Sequence, residues 1–121
     1  MATIVVADDD PVSQRILGHI IRRLGHEVVS AANGREALEH VRRQRPDLVI
    51  LDLAMPEMDG LTALRHIRDE EGPRRLPVIM LTASGLDRDE RAARAGGADD
   101  YLTKPCRSQE LIDKLQQLLG P

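Results

Sequence analysis

The sequence predicts an α/β fold: one parallel sheet covered by helices on both faces, a three-layer sandwich of five βα units. Three observations carry this. Short apolar, β-branched runs recur along the whole 121-residue chain, at Thr3–Ala7, Glu27–Ala31, Asp47–Leu51, Val78–Leu81 and Asp100–Thr103. Each run is followed by a segment with apolar residues at helical spacing. Strands this apolar, each followed by a helix, require a sheet buried on both faces, and right-handed crossovers then leave few topologies.

The elements follow in order. "TIVVA" stops at Asp8-Asp9-Asp10, and Asp10-Pro11 reads as a helix cap followed by a first-turn proline. Ile16, Leu17, Ile20, Ile21 and Leu24 mark the first helix, which Gly25 ends. "EVVSA" is the second strand and Asn33-Gly34 a turn. Ala37, Leu38 and Val41 give a short second helix, closed before Pro46. "DLVIL" is the third strand, with Asp52 directly after it. Leu61, Leu64 and Ile67 mark the third helix, which "EEGPRRLP" breaks. "VIML" is the fourth strand, and Asp87–Ala95 a fourth helix with little but alanine on its apolar side. "DYLT" is the fifth strand, and Ser108 is expected to cap a last helix carrying Leu111, Ile112, Leu115, Leu118 and Leu119.

Composition excludes several classes of function. With 17 basic and 20 acidic residues the net charge is −3, and the pairs Arg22-Arg23, Arg42-Arg43 and Arg74-Arg75 are scattered among acids. Phosphate-backbone binding rests on clustered Lys and Arg, so nucleic acid is not an expected partner. Phe and Trp are absent and Tyr101 is the one tyrosine, which removes the stacking platforms that single strands need. No apolar run approaches a membrane span and "MATIVV" lacks a signal-peptide n-region, so the expectation is a cytoplasmic protein that does not enter a membrane. The lone Cys106 forms no internal disulfide and reads as a small buried apolar residue.

In doubly wound sheets the ligand site lies beyond the carboxyl ends of the strands. The residues that follow the strands are Asp8, Asp9 and Asp10; Ala32 and Asn33; Asp52; Thr82, Ala83 and Ser84; and Lys104 and Pro105. If strands one and three are neighbours, Asp8, Asp9 and Asp52 converge. Crowded carboxylates repel, and a hard divalent cation that accepts oxygen ligands, such as Mg2+, relieves that repulsion. A hydroxyl from Thr82 and an ammonium from Lys104 would approach the same point. Such a set suits phosphoryl chemistry, with a carboxylate as nucleophile. The four histidines lie in or beside helices, away from this edge.

The acidic pair Asp8-Asp9 after the first strand, "LVILDLAMPEMDG" around Asp52, "VIMLTA" ending on Thr82-Ala83 and "GADDYLTKP" with Tyr101, Lys104 and Pro105 occur in this order on five βα units. The set resembles the receiver domain of two-component response regulators, over residues 1–121. The resemblance implies a flavodoxin-like (βα)5 fold with strand order 2-1-3-4-5. It implies that Asp52 is the phosphoacceptor, modified by a sensor histidine kinase or a histidine phosphotransfer protein. It implies that Asp8, Asp9, Asp52 and the Ala54 carbonyl hold Mg2+, that Lys104 pairs with phosphoryl oxygens, and that the Lys104–Pro105 bond is cis. Thr82 and Tyr101 would be the switch, altering the face of the fourth helix, fifth strand and fifth helix toward an output domain, an effector protein or a second copy of the chain. The chain would be a phosphoacceptor that gains and loses its own phosphoryl group rather than a turnover enzyme.

Two positions depart from what assists hydrolysis: Ala54 has no side chain to orient water, and Ser84 only a short hydroxyl. Slow to moderate dephosphorylation is expected. Cys106 stands where the resemblance would place Phe. The competing readings are a haloacid-dehalogenase-type phosphatase and a degenerate receiver that only docks partners. The phosphatase reading lacks its second acid, because "DLA" places Ala54 two residues after Asp52.

Overall fold

The computed structural model describes residues 1–71, 75–83 and 87–120. Ser84 and Arg74 lie outside the described residues. The chain runs β1 (Thr3–Ala7), α1 (Pro11–Arg23), β2 (Glu27–Ala31), α2 (Gly34–Gln44), β3 (Leu48–Asp52), α3 (Gly60–Glu70), β4 (Val78–Thr82), α4 (Asp87–Ala95), β5 (Asp100–Thr103) and α5 (Ser108–Leu119). All strands pair in parallel in the order β2-β1-β3-β4-β5, as the resemblance implied.

The alternation of side chains along each strand divides the interior in two. Val5, Val49, Leu51, Val78 and Met80 face α2, α3 and α4, where they meet Ala37, Leu38, Leu64, Ile67 and Ala93. Ile4, Val6, Leu48, Ile50, Ile79, Leu81 and Leu102 face α1 and α5, packing on Leu17, Ile21, Leu111 and Leu115. β3 and β4 are buried at every position, which explains their continuous apolar runs. No helix among the described residues is long and apolar enough to cross a membrane.

Four local expectations need correction. β3 begins at Leu48 and includes Asp52, because the ladder continues through the pairing of Asp52 with Leu81. Asp47 lies outside it, and its carboxylate accepts the Thr3 N–H at 2.8 Å. β4 likewise runs one residue further, to Thr82, which is in register with Thr103. Asn33 is the N-cap of α2 rather than a free turn residue: its Oδ1 accepts the Glu36 N–H at 2.8 Å, while the Glu36 carboxylate accepts the Ala32 N–H at 2.9 Å. Ser108 is the first helical residue of α5, whose extended N-cap is Arg107 without a side-chain cap bond. Asp10 does cap α1, accepting the Val12 N–H at 3.0 Å.

Candidate functional site

Parallel strands in register finish at one rim. Ala7 lies opposite both Ala31 and Leu51, Asp52 opposite Leu81, and Thr82 opposite Thr103. The backbone therefore delivers Asp8, Asp52, Thr82 and Lys104 to the same end of the sheet. The ladder reaches past β5, with the Lys104 N–H donating to the Thr82 carbonyl at 2.6 Å. The Lys104–Pro105 bond is cis.

Asp8, Asp9 and Asp52 each present a carboxylate oxygen, and these oxygens lie within 4.8 Å of one another. Asp8 and Asp52 are 1% and 4% exposed, whereas Asp9 is open to solvent. Lys104 Nζ reaches across from β5 to Asp52 Oδ2 at 2.5 Å and to Asp8 Oδ2 at 2.8 Å. The approach to Asp8 has ion-pair distance without hydrogen-bond geometry. The other oxygen of Asp52 accepts the Ala54 N–H at 3.1 Å, and the other oxygen of Asp8 accepts the Asp10 N–H at 3.0 Å. Thr82 is buried at the end of β4, and Tyr101 packs half-buried against the core beneath α3 and α4.

The electrostatics are those of an over-acidic cluster with one cation. Burial pushes the Asp52 carboxyl above the ordinary carboxylate range and Asp8 adds to the push, against the pull of Lys104 and the Ala54 N–H. Burial works to lower the Lys104 pKa, yet the hydrogen bond to Asp52 and the nearby carboxylates of Asp52 and Asp8 overcome that and hold it above the usual lysine value. One ammonium thus faces two buried acids and a third exposed one, and an unpaired buried charge is costly. A second cation fits this donor set. It offers only oxygen ligands, and a set whose third acid, Asp9, stays open to water suits Mg2+, which keeps part of its hydration.

The loop after Asp52 is tightly held. A Cβ on Gly60 would meet the Asp52 carbonyl at 2.2 Å, so only glycine lets α3 start against the backbone of the acidic residue. Gly34 donates its N–H to the Met58 carbonyl at 2.9 Å, and Glu57, left-handed at φ 66°, accepts from Asn33 Nδ2 at 2.9 Å. The start of α2 thus fixes the loop that carries Ala54. Met55 and Met58 pack partly buried against the core. At the far end of the sheet, Met1, Leu24, His26, Asp47 and Leu119 help to line a cavity of about 930 Å3, and Leu38, Arg42, Pro46 and Leu76 one of about 430 Å3. Beside the acidic rim lies a shallow depression of about 260 Å3 that Asp8, Asp9 and Gln14 help to line.

The histidines stay away from the rim: His26 Nδ1 accepts the Ala2 N–H at 3.0 Å, and His66 faces Glu70 at 3.8 Å. Sequence reasoning missed Gln14, whose side-chain amide donates to the carbonyls of Val6, Asp8 and Ala31 at 2.8, 3.1 and 2.7 Å. A polar residue among the helical apolar positions of α1 is the one available signal, and it does not reveal which carbonyls lie within reach.

The family model for the response regulator receiver domain matches residues 4–116. TcrX of Mycobacterium tuberculosis is 39% identical over 117 residues, 97% of this chain and 49% of TcrX. The polar-differentiation response regulator DivK of Brucella anthropi is 31% identical over 118 residues, 98% of this chain and 96% of DivK. The chain therefore spans about half of the first relative and nearly all of the second. Among solved structures, the receiver domain of the sensor histidine kinase PA1611 from Pseudomonas aeruginosa is 38% identical with a TM-score of 0.90, covering 99% of this chain and 98% of that one. That crystal holds a magnesium ion in the active-site cleft.

Proposed function

The chain belongs to the response regulator receiver family, and from that premise we propose that Asp52 accepts a phosphoryl group, in a magnesium-dependent reaction, from a histidine kinase or histidine phosphotransfer protein. One observation carries the reading: Lys104 reaches both Asp52 at 2.5 Å and Asp8 at 2.8 Å, at the rim where Asp9 completes the acidic cluster. The magnesium-bearing cleft of the similar PA1611 receiver supports a metal at this rim, where Asp8, Asp9, the Asp52 carboxylate and the Ala54 carbonyl would hold it. Magnesium supplies positive charge that neutralises the transferred group.

The residues of the chain do the rest. The Asp52 carboxylate is the nucleophile: as its oxygen bonds to phosphorus, the bond from phosphorus to the donor's imidazole nitrogen breaks, and that electron pair stays on the nitrogen. Lys104 offsets the charge gathering on the phosphoryl oxygens. Thr82, at the end of β4, donates its hydroxyl to one of those oxygens. Tyr101 follows Thr82 inward, and the face of α4, β5 and α5 changes toward an output domain, an effector or a second copy of the chain. Val12 and Ile16, one turn apart on α1 and 58% and 53% exposed, offer the donor an apolar contact beside the rim.

The test is labelling with acetyl phosphate and Mg2+, followed by intact mass. Wild type gains the mass of one phosphoryl group, and Asp52→Asn or chelation of the metal abolishes the gain. Labelling of Asp52→Asn at the wild-type level rejects the assignment of the acceptor. Absence of labelling in the wild type leaves docking as the function.

A further inference from the structure

We propose that Gln14 is the positioning residue for the acidic side of the rim: its amide ties three carbonyls together so that Asp8 and Asp9 present their oxygens toward Asp52. The inference rests on the magnesium-dependent phosphoacceptor reading and deepens it. Gln14 lies on the second turn of α1, yet its Nε2 leaves the helix to serve the sheet. It donates to Val6 and Asp8 at the end of β1 and to Ala31 at the end of β2, at 2.8, 3.1 and 2.7 Å. The Ala31 carbonyl also accepts the Asp8 N–H at 3.0 Å. The backbone of Asp8 is therefore held from both sides, by Ala31 at its nitrogen and by Gln14 at its oxygen.

On that backbone the Asp8 side chain bridges two partners. One oxygen takes the Asp10 N–H at 3.0 Å and the other lies 2.8 Å from Lys104. The conformation of the β1–α1 loop that places Asp9 beside them starts from the same carbonyl. Three carbonyl oxygens next to two buried carboxylates would gather like partial charges, and the amide N–H groups are the nearby donors that offset them. The chemistry also fixes which way the amide faces. Reversed, its oxygen would confront three other oxygens. As placed, Gln14 Oε1 is buried and makes no hydrogen bond. With two N–H groups for three carbonyls, one hydrogen is shared between two of them, and the amide leaves its oxygen without a partner while its donors stay on the carbonyls behind the acids.

Residues that orient a metal's ligands typically change affinity about 10–100-fold when removed. Gln14→Met keeps the length of the side chain and deletes its donors. Ile21→Val is the control, a core change on the same helix away from the rim. For each, the thermal midpoint is measured on metal-free protein, and Mg2+ affinity from amide chemical shifts of Asp9 and Ala54 during a MgCl2 titration. The expected result is about 10-fold weaker Mg2+ binding by Gln14→Met, with wild-type affinity in Ile21→Val despite its lower midpoint. If Gln14→Met loses stability but titrates like wild type, Gln14 is a peg between helix and sheet and the proposal is overturned. If Gln14→Met does not fold, Gln14→Asn, an amide one methylene too short, replaces it under the same two outcomes. No saturable Mg2+ response in the wild type defeats the metal reading and takes the role of Gln14 with it. A wild-type response matched by the Gln14 variant defeats the role alone.

Discussion

Cys106 shows how one side chain follows its surroundings. It stands just after the Lys104–Pro105 pair, half-buried against the core under α1 and α5. Burial pushes its thiol above the ordinary cysteine value, so the reactive thiolate is scarcer than in a free cysteine. Alkylation by iodoacetamide at pH 7.5 is expected to run slower than that of glutathione and to accelerate as pH rises. A rate matching or exceeding the glutathione reference would show an exposed, activated thiol. At this scale the sequence was most legible where chemistry sits directly after an apolar run: Asp8, Asp52, Thr82 and Lys104 are marked by contrast with the strands before them. Gln14 and Asn33 carry no such mark. Their partners, the carbonyls of Val6 and Ala31 or the carboxylate of Glu57, are brought close only by pairing of β1 with β2 and by the loop after β3.

The elements were legible in kind and order because hydrophobic period separates strand from helix. Their ends were less so: hydrogen bonding, not side-chain polarity, ends a strand, which is why Asp52 and Thr82 belong to β3 and β4. Contacts between helices were invisible to pattern. α2 and α3 are clamped by a fork from Arg42 Nε and Nη2 to the two oxygens of Glu70, both at 2.7 Å. The bond from Arg42 holds the Glu70 carboxyl below its usual range. A carboxylate depressed in the folded state contributes stability above its unfolded pKa, about 4.3, and loses it as pH falls through the folded value. Glu70→Gln should therefore melt slightly below wild type at pH 7, with the gap closing as pH drops below about 4. Both side chains face solvent, so added salt should narrow the gap as well. A gap that widens in acid would mean that the fork does not stabilise the fold.

At the scale of the molecule the helices are held unequally. α1, α3 and α5 each insert several large apolar side chains, whereas α4 buries only Ala93. The alanine-rich sequence predicts this shortage, because methyl groups remove little area from water. Amide exchange should therefore find α4 the least protected helix, opening well below the global unfolding free energy. Protection of α4 equal to that of α3 would refute it. The α4 end nearer Ala98 is better anchored: Arg68 Nε and Nη2 both donate to the Gly97 carbonyl, at 2.9 and 2.8 Å, and Nη2 pairs with Asp99 at 2.9 Å.

Asp100, at the start of β5, is reached by Lys114 from α5 at 2.8 Å and by Arg94 from α4 at 3.6 Å. β5 is the outermost strand on its side, four residues long, and two charged arms from opposite layers meet at its first residue. A second chain approaching that border to extend the sheet would find a short ledge, ringed by ions and closed by Pro105. Extension of the sheet across β5 is thereby disfavoured, which leaves β2 as the edge without such a guard.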